Sequence, residues 1–256
     1  MKIDFECSLC PENSPSIVVS VKDDGKYDLT CANGHKTQKV LCTTPYEILF
    51  QIAINAIIDG YYREAVSSFA SSLERFYEYY VRITCYKHKI DHAVYEDCRK
   101  LVSQQSERQL GMFIMAFVLE SKERPKLLPD DMTKFRNDVV HKGKIPTRDD
   151  AIKFGNAVLS VIAPVWNRVV SEKNHGYSEV IDEEYELATK KCKPGTEPMM
   201  LLSVGGLNHL RLIPDPSNKE LFIPSFCVEE QIKSTERMRQ IKVLFEDIKA
   251  DFRQNQ

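Results

Sequence analysis

The sequence predicts a mainly α protein: an antiparallel helical bundle, preceded by a small β unit and followed by a short α+β region. Three observations predict it. Apolar residues recur at helical spacing through most of residues 45–173. Residues 1–43 instead hold four of the eight cysteines, set among Gly-containing turns. Residues 174–256 carry Gly205-Gly206 and Pro214, Pro216 and Pro224, which punctuate loops rather than helices.

Each element has its own local signal. Asp24-Gly25 and Asn33-Gly34 mark turns, and Ile17-Val18-Val19 reads as a strand. Thr44-Pro45-Tyr46-Glu47 opens the first helix and sets the domain boundary between residues 43 and 44. Thr44 can cap, Pro45 suits the first helical position, and Glu47 completes a capping box. Ala65, Val66, Phe69, Ala70, Leu73, Phe76, Tyr77 and Tyr80 form one apolar stripe, read as core and subunit packing. Asp91 looks like the start of a further helix, running through Leu101. Ser106-Glu107-Arg108-Gln109 reads as a second capping box, opening a helix over residues 110–119. Pro129-Asp130-Asp131 starts a short helix that ends at Gly143. Thr147-Arg148-Asp149-Asp150 opens a last long one, with a kink expected at Pro164. In the third part, residues 174–256, stretches 199–204 and 207–213 read as a hairpin. Ile241, Leu244, Phe245, Ile248 and Phe252 repeat as a final amphipathic helix.

Composition narrows the functional classes. A net charge of -2 means that any nucleic-acid contact has to come from a local basic patch. No apolar run reaches the ~20 residues a membrane span needs. The opening residues lack a secretory pattern, so a cytoplasmic location without membrane contact is expected. There, cysteines serve as thiols or metal ligands rather than as a disulfide framework. Neither a GxxxxGK loop nor a GxSxG elbow is present, which argues against an NTPase or esterase of those types.

Cys7-x2-Cys10 and Cys31-x3-His35 have the spacing of two metal-binding knuckles on hairpin ends. Some forty residues cannot bury enough core to fold alone, so a structural Zn2+ is the expected cofactor. Cys42 competes with His35 for the fourth place, and geometry favours His35. Cys85, Cys98, Cys192 and Cys227 show no ligand spacing and read as packed small hydrophobes.

The segment from Lys134 to Lys144 carries the other constellation. On a helical wheel Met132, Phe135 and Val139 face inward. Arg136 and His141 lie about 140° apart and flank the opposite side, with Asn137 between them. Val140 points outward inside this frame, which suggests a covering second subunit. Lys134, Lys142, Lys144 and Arg148 add local positive charge suited to phosphate. These residue types suit metal-free RNA cleavage. Histidine can move a proton at the 2′-hydroxyl or the leaving 5′-oxygen. A guanidinium can stabilise the charged phosphorus centre, and an amide can orient the groups.

Arg136-Asn137-x3-His141, placed late in a helical array and followed by one more long helix, resembles the HEPN ribonuclease signature over residues 45–173. The resemblance implies a homodimer with a composite cleft, metal-independent endoribonuclease activity and 2′,3′-cyclic phosphate products. It implies a role as a toxin or anti-phage effector with RNA as substrate; a nuclease of that kind needs restraint, so an inhibitor or trigger protein is a further expected partner. It also implies an acidic residue on an earlier helix, for which Glu74 is the positional match. The alternative is a non-catalytic zinc-ribbon/HEPN adaptor that dimerises and binds a protein or nucleic-acid partner.

Overall fold

The computed structural model describes residues 1–11, 14–41, 43–171, 175–192, 227–237 and 239–240. The protein is mainly helical, with two small antiparallel hairpins at its N-terminal end. Strand β1 (Lys2–Phe5) pairs with β2 (Ile17–Ser20), and β3 (Lys26–Thr30) pairs with β4 (Lys36–Val40). Alternation turns Ile3 and Phe5 of β1, and Tyr27 and Leu29 of β3, inward. Phe5 and Tyr27 pack with ring centroids 4.9 Å apart and join the hairpins. These residues belong to the same hydrophobic core as the helices.

Helix α1 (Pro45–Ile58) starts as its sequence dictates. The Glu47 carboxylate accepts from the Thr44 backbone N–H at 3.1 Å and from its hydroxyl. Helix α2 (Tyr62–Lys87) is about 39 Å long at 1.5 Å per residue. It packs against α1 and, among the later helices, against α4, α5, α6 and α7. Such a position explains why its buried residues exceed one stripe: Tyr79, Val81 and Ile83 are buried along with the predicted set, of which only Ala70 is half-buried.

Helix α3 (His92–Val102) is capped by the Asp91 carboxylate, which accepts from the N–H groups of Ala93 and Val94. Helix α4 (Ser106–Ser121) begins earlier than the capping-box pattern predicts, with Gln105 as its N-cap. The reason is tertiary. Gln109 is buried and donates to Glu78 of α2 at 3.0 Å and to the Ser103 carbonyl at 2.8 Å, so its side chain does not fold back to cap.

Helix α5 (Asp130–Lys142) ends at Gly143, whose φ of 72° is the left-handed geometry that glycine adopts without penalty. Helix α6 (Arg148–Ser171) opens on a reciprocal box. The Thr147 N–H donates to Asp150 at 3.0 Å, and the Asp150 N–H to the Thr147 hydroxyl at 3.2 Å. It continues past Pro164 to Ser171.

Helix α7 (His175–Lys191) follows, in a region where the sequence reading placed no helix. It lies on α2, where Arg82 pairs with Glu183 and, at 3.0 Å, with Glu184. A further helical segment covers residues 228–237. Val228 and Ile232 enter the core there, and Asn156 of α6 accepts from the Val228 N–H at 2.8 Å. The expected hairpin at 199–213 and the expected final helix from Ile241 to Phe252 lie outside the described residues. No helix among the described residues is long and apolar enough to cross a membrane.

Candidate functional sites

Two constellations stand out: a four-donor cluster on the hairpins and a polar face on α5.

Cys7 and Cys10 sit in the loop leaving β1, and Cys31 and His35 in the loop between β3 and β4. Both loops are tightly turned. The Cys10 N–H reaches the Cys7 carbonyl at 3.2 Å, and the Gly34 N–H reaches that of Cys31 at 2.9 Å. The four ligand atoms all lie within 4.8 Å of one another. Cys10 Sγ is 3.6 Å from Cys31 Sγ and 3.2 Å from His35 Nδ1, and Cys7 Sγ is 3.8 Å from the same Nδ1. A zinc tetrahedron with bonds of about 2.3 Å to sulfur and about 2.0 Å to nitrogen has edges of about 3.5–3.8 Å. The donor set fits a metal ion of this kind. The sulfurs are too far apart for a disulfide, whose S–S bond is about 2.05 Å.

Desolvation works to raise the Cys31 thiol, but backbone groups at His35 and Asn33 and the neighbouring thiols outweigh it and hold it at about 7. For Cys10, the Asn33 amide, 3.3 Å away, pulls downward, yet desolvation and the adjacent thiols raise it on balance. A thiol poised near neutrality deprotonates readily for metal binding. Cys42, the competing fourth ligand, lies outside the described residues. Of the other cysteines, Cys85, Cys192 and Cys227 are half-buried, but Cys98 is exposed on α3 rather than packed.

The second constellation is built on α5. Val139 and Met132 are buried, and Phe135 is half-buried with its ring 5.9 Å from Phe154 of α6. This anchors the helix and fixes where its polar groups point. Arg136 turns toward α2, where its guanidinium lies 3.6 Å from the Glu74 carboxylate. Both side chains are only about a quarter exposed, at 24% and 28%. Asn137 is half-buried. His141 is exposed in the last turn and, among the described residues, makes no hydrogen bond or ion pair. It follows Asn137 by four residues, so the two share a face. Arg136 and His141 are separated by about 7.5 Å along the axis and about 140° around it. Arg136 therefore lies on the α2 flank and His141 on the outer crest.

Tyr77, which the sequence reads as core and subunit packing, follows Glu74 by three residues on α2. It is 5% exposed, with its ring stacked on Phe113 of α4 at 4.4 Å. Burial pushes its phenol well above the usual range; the Glu74 charge adds to this and the Arg136 charge offsets it. Its hydroxyl thus stays protonated beside the pair.

The four candidate phosphate-binding cations are all exposed. Lys142 is paired with Asp138 at 2.9 Å, and Lys144 lies over the Phe135 ring at 4.8 Å. Lys134 and Lys144 line an open groove of about 330 Å³ on the α6 flank of α5, with Asp131, Asp138, Asp150 and Lys153. Folding brings Asp131 and Asp150 into a patch that looks basic in sequence. Three lysines face three aspartates there, so the groove is of mixed charge. Arg148 opens α6, outside that groove lining.

Two further histidines lie against carboxylates. His88 pairs with Glu120, and His92 lies 2.9 Å from Glu183. Comparison with known protein families, curated proteins and solved structures finds no match to this chain.

Proposed function

We propose that this chain is a metal-independent endoribonuclease of the HEPN type, and that Arg136, Asn137, His141 and Glu74 form its active site. The observation that carries the reading is the approach of Glu74 to Arg136 across the α2–α5 contact, with His141 exposed on the outer crest of the same helix and unpaired among the described residues. The carboxylate orients the guanidinium without consuming it. At 3.6 Å the contact is longer than a charge-assisted hydrogen bond of about 2.7–2.9 Å, and the guanidinium fork retains donors for a phosphate.

The reaction is transesterification. The 2′-oxygen attacks phosphorus, the P–O5′ bond breaks, a base takes the 2′-hydroxyl proton, and an acid protonates the departing 5′-oxygen. One histidine cannot be base and acid at once, so a second copy of the chain supplies the other imidazole in a composite cleft. Arg136 stabilises the extra negative charge on phosphorus. Asn137 holds the phosphate or the imidazole in place. Lys134, Lys142, Lys144 and Arg148 steer the RNA backbone. The Cys7–Cys10–Cys31–His35 cluster is read as a structural zinc ribbon, separate from the chemistry. Such an enzyme suits a toxin or anti-phage effector in the cytoplasm, held in check by an inhibitor or released by a trigger protein.

The test is cleavage of mixed cellular RNA in EDTA by the full chain and its His141→Ala variant. Cutting by wild type to cyclic-phosphate ends, lost in the variant, is expected. A second reading, a zinc-ribbon adaptor, is favoured by the mixed charge of the groove beside α5. On that reading Arg136→Ala and His141→Ala leave partner binding intact, while Cys7→Ser abolishes it.

A further inference from the structure

The groove on the α6 flank of α5 carries charge of both signs, and the chain engages those charges unequally. Asp138 is held by Lys142 at 2.9 Å, and Asp150 accepts from the Thr147 N–H at 3.0 Å. The Lys144 ammonium lies over the Phe135 ring at 4.8 Å. Asp131, Lys134 and Lys153 make no hydrogen bond or ion pair among the described residues. Asp131 and Lys134 stand three positions apart on α5, so they are neighbours on one helix face, yet they do not pair with each other. The groove thus offers a free carboxylate and a free ammonium side by side. Met132, buried, and Phe135, half-buried, supply the apolar part of its lining.

That lining selects a class of ligand. A phosphate meets three aspartates there and a cation meets three lysines, so neither is favoured. A neutral group that carries donors and acceptors on one edge meets both signs favourably. The open volume of about 330 Å³ admits a flat ring system. Position adds a second constraint. Asp138, in the groove wall, precedes His141 by three residues, so the wall and the imidazole adjoin on the α5 surface. An RNA strand that brings a 2′-hydroxyl to His141 carries a base to this groove.

We propose that the groove is the base-recognition site of the ribonuclease and takes guanine, with Asp131 and Lys134 as its specificity-determining residues. The assignment rests on the ribonuclease reading and deepens it. Among the RNA bases, only guanine sets two adjacent donors, N1–H and the N2 amino group, beside a carbonyl acceptor on its Watson–Crick edge. The Asp131 carboxylate accepts from both donors, and the Lys134 ammonium donates to O6. Adenine and cytosine set an amino donor beside a ring-nitrogen lone pair, and uracil sets one N–H between two carbonyls. Each of these turns an acceptor onto the carboxylate. An acidic residue in the first turn of α5 also favours the helix whatever it binds. Base preference is the readout that separates the two roles.

The experiment measures cleavage of uridine oligonucleotides holding one guanosine, adenosine or inosine, the last lacking the N2 amino group. The full chain is compared with Asp131→Asn, whose amide keeps the shape and only one acceptor oxygen. Wild type should cut beside guanosine about 10-fold or more faster than beside adenosine or inosine. In Asp131→Asn the guanosine-to-inosine ratio should fall to within about two-fold, with a melting temperature within about 2 °C of wild type. Wild-type cutting that is equal or faster beside adenosine or inosine overturns the assignment alone, as does a variant that keeps the preference. A variant with all three rates lowered together and a lower melting temperature assigns Asp131 to the helix and also overturns it. Oligonucleotides left intact by wild type overturn the ribonuclease reading, and this assignment with it.

Discussion

The guanidinium of Arg136 lies 3.6 Å from the carboxylate of Glu74 and ties α5 to α2. Each side chain is about a quarter exposed, so solvent screens the pair and limits its contribution to stability to about 1 kcal/mol. Arg136→Ala should therefore fold normally, with a small drop in melting temperature. In an RNA-cleavage assay it should lose about 10²–10³ in kcat, the usual cost of removing a transition-state charge stabiliser. A large stability loss with an unchanged rate would make the pair a structural strut.

Helix α7 approaches α2 through Gly176. A Cβ there would sit 2.2 Å from the Ile83 carbonyl oxygen and 2.5 Å from the Lys87 nitrogen, both backbone atoms that cannot step aside. Gly176→Ala has to push α7 outward, at an expected cost of about 3 kcal/mol. The single tryptophan offers a probe, because Trp166 meets Tyr177 of α7 edge-on at 5.1 Å. Thermal denaturation followed by tryptophan fluorescence should show a lower midpoint and an altered native signal.

The same contact depends on pH through Glu183. Burial works to raise its carboxyl, but the Tyr86 hydroxyl and the Arg82 guanidinium outweigh it and hold it below the usual carboxylate range. A pKa lower in the folded than in the unfolded chain gives stability that is fully present above the unfolded value, about 4.3. That stability is lost as pH falls through the depressed folded value. Glu183→Gln should cost about 2 kcal/mol at pH 7, and its difference from wild type should shrink below about pH 4. Urea denaturation at both pH values checks this. A constant difference would exclude Glu183 as the titrating group.

The hairpins offer a separate test. One zinc ion per chain is expected by elemental analysis, with near-complete loss in Cys10→Ser. Amide hydrogen exchange should then accelerate across β1–β4 and leave α2 protected, since the hairpins depend on the metal and α2 on its apolar packing. Full zinc occupancy in the variant would point to a different ligand set.

How much of this could be read from sequence follows from how local each cause is. The Thr44–Glu47 box, the Asp91 cap, the Gly143 stop and the cysteine spacing all act within a few residues, and the structure carries each of them. The start of α4 was misjudged because Gln109 is spent on Glu78, thirty-one residues away. Helix α7 was missed because few of its residues are fully buried, Val180 and Ala188 among them, while Arg82 holds its acidic face. The mixed charge beside α5 was hidden because Asp150 arrives from α6. Of the site, Glu74 could be named by position alone, since its approach to Arg136 exists only once α2 and α5 are packed.

The most direct measurement is RNA cleavage in EDTA by protein whose zinc content is verified to persist, comparing wild type with His141→Ala and Arg136→Ala. Wild type should cut to 2′,3′-cyclic phosphate ends, and both variants should leave the RNA intact while folding normally. Intact RNA with wild type, or equal cutting by all three proteins, would contradict the account.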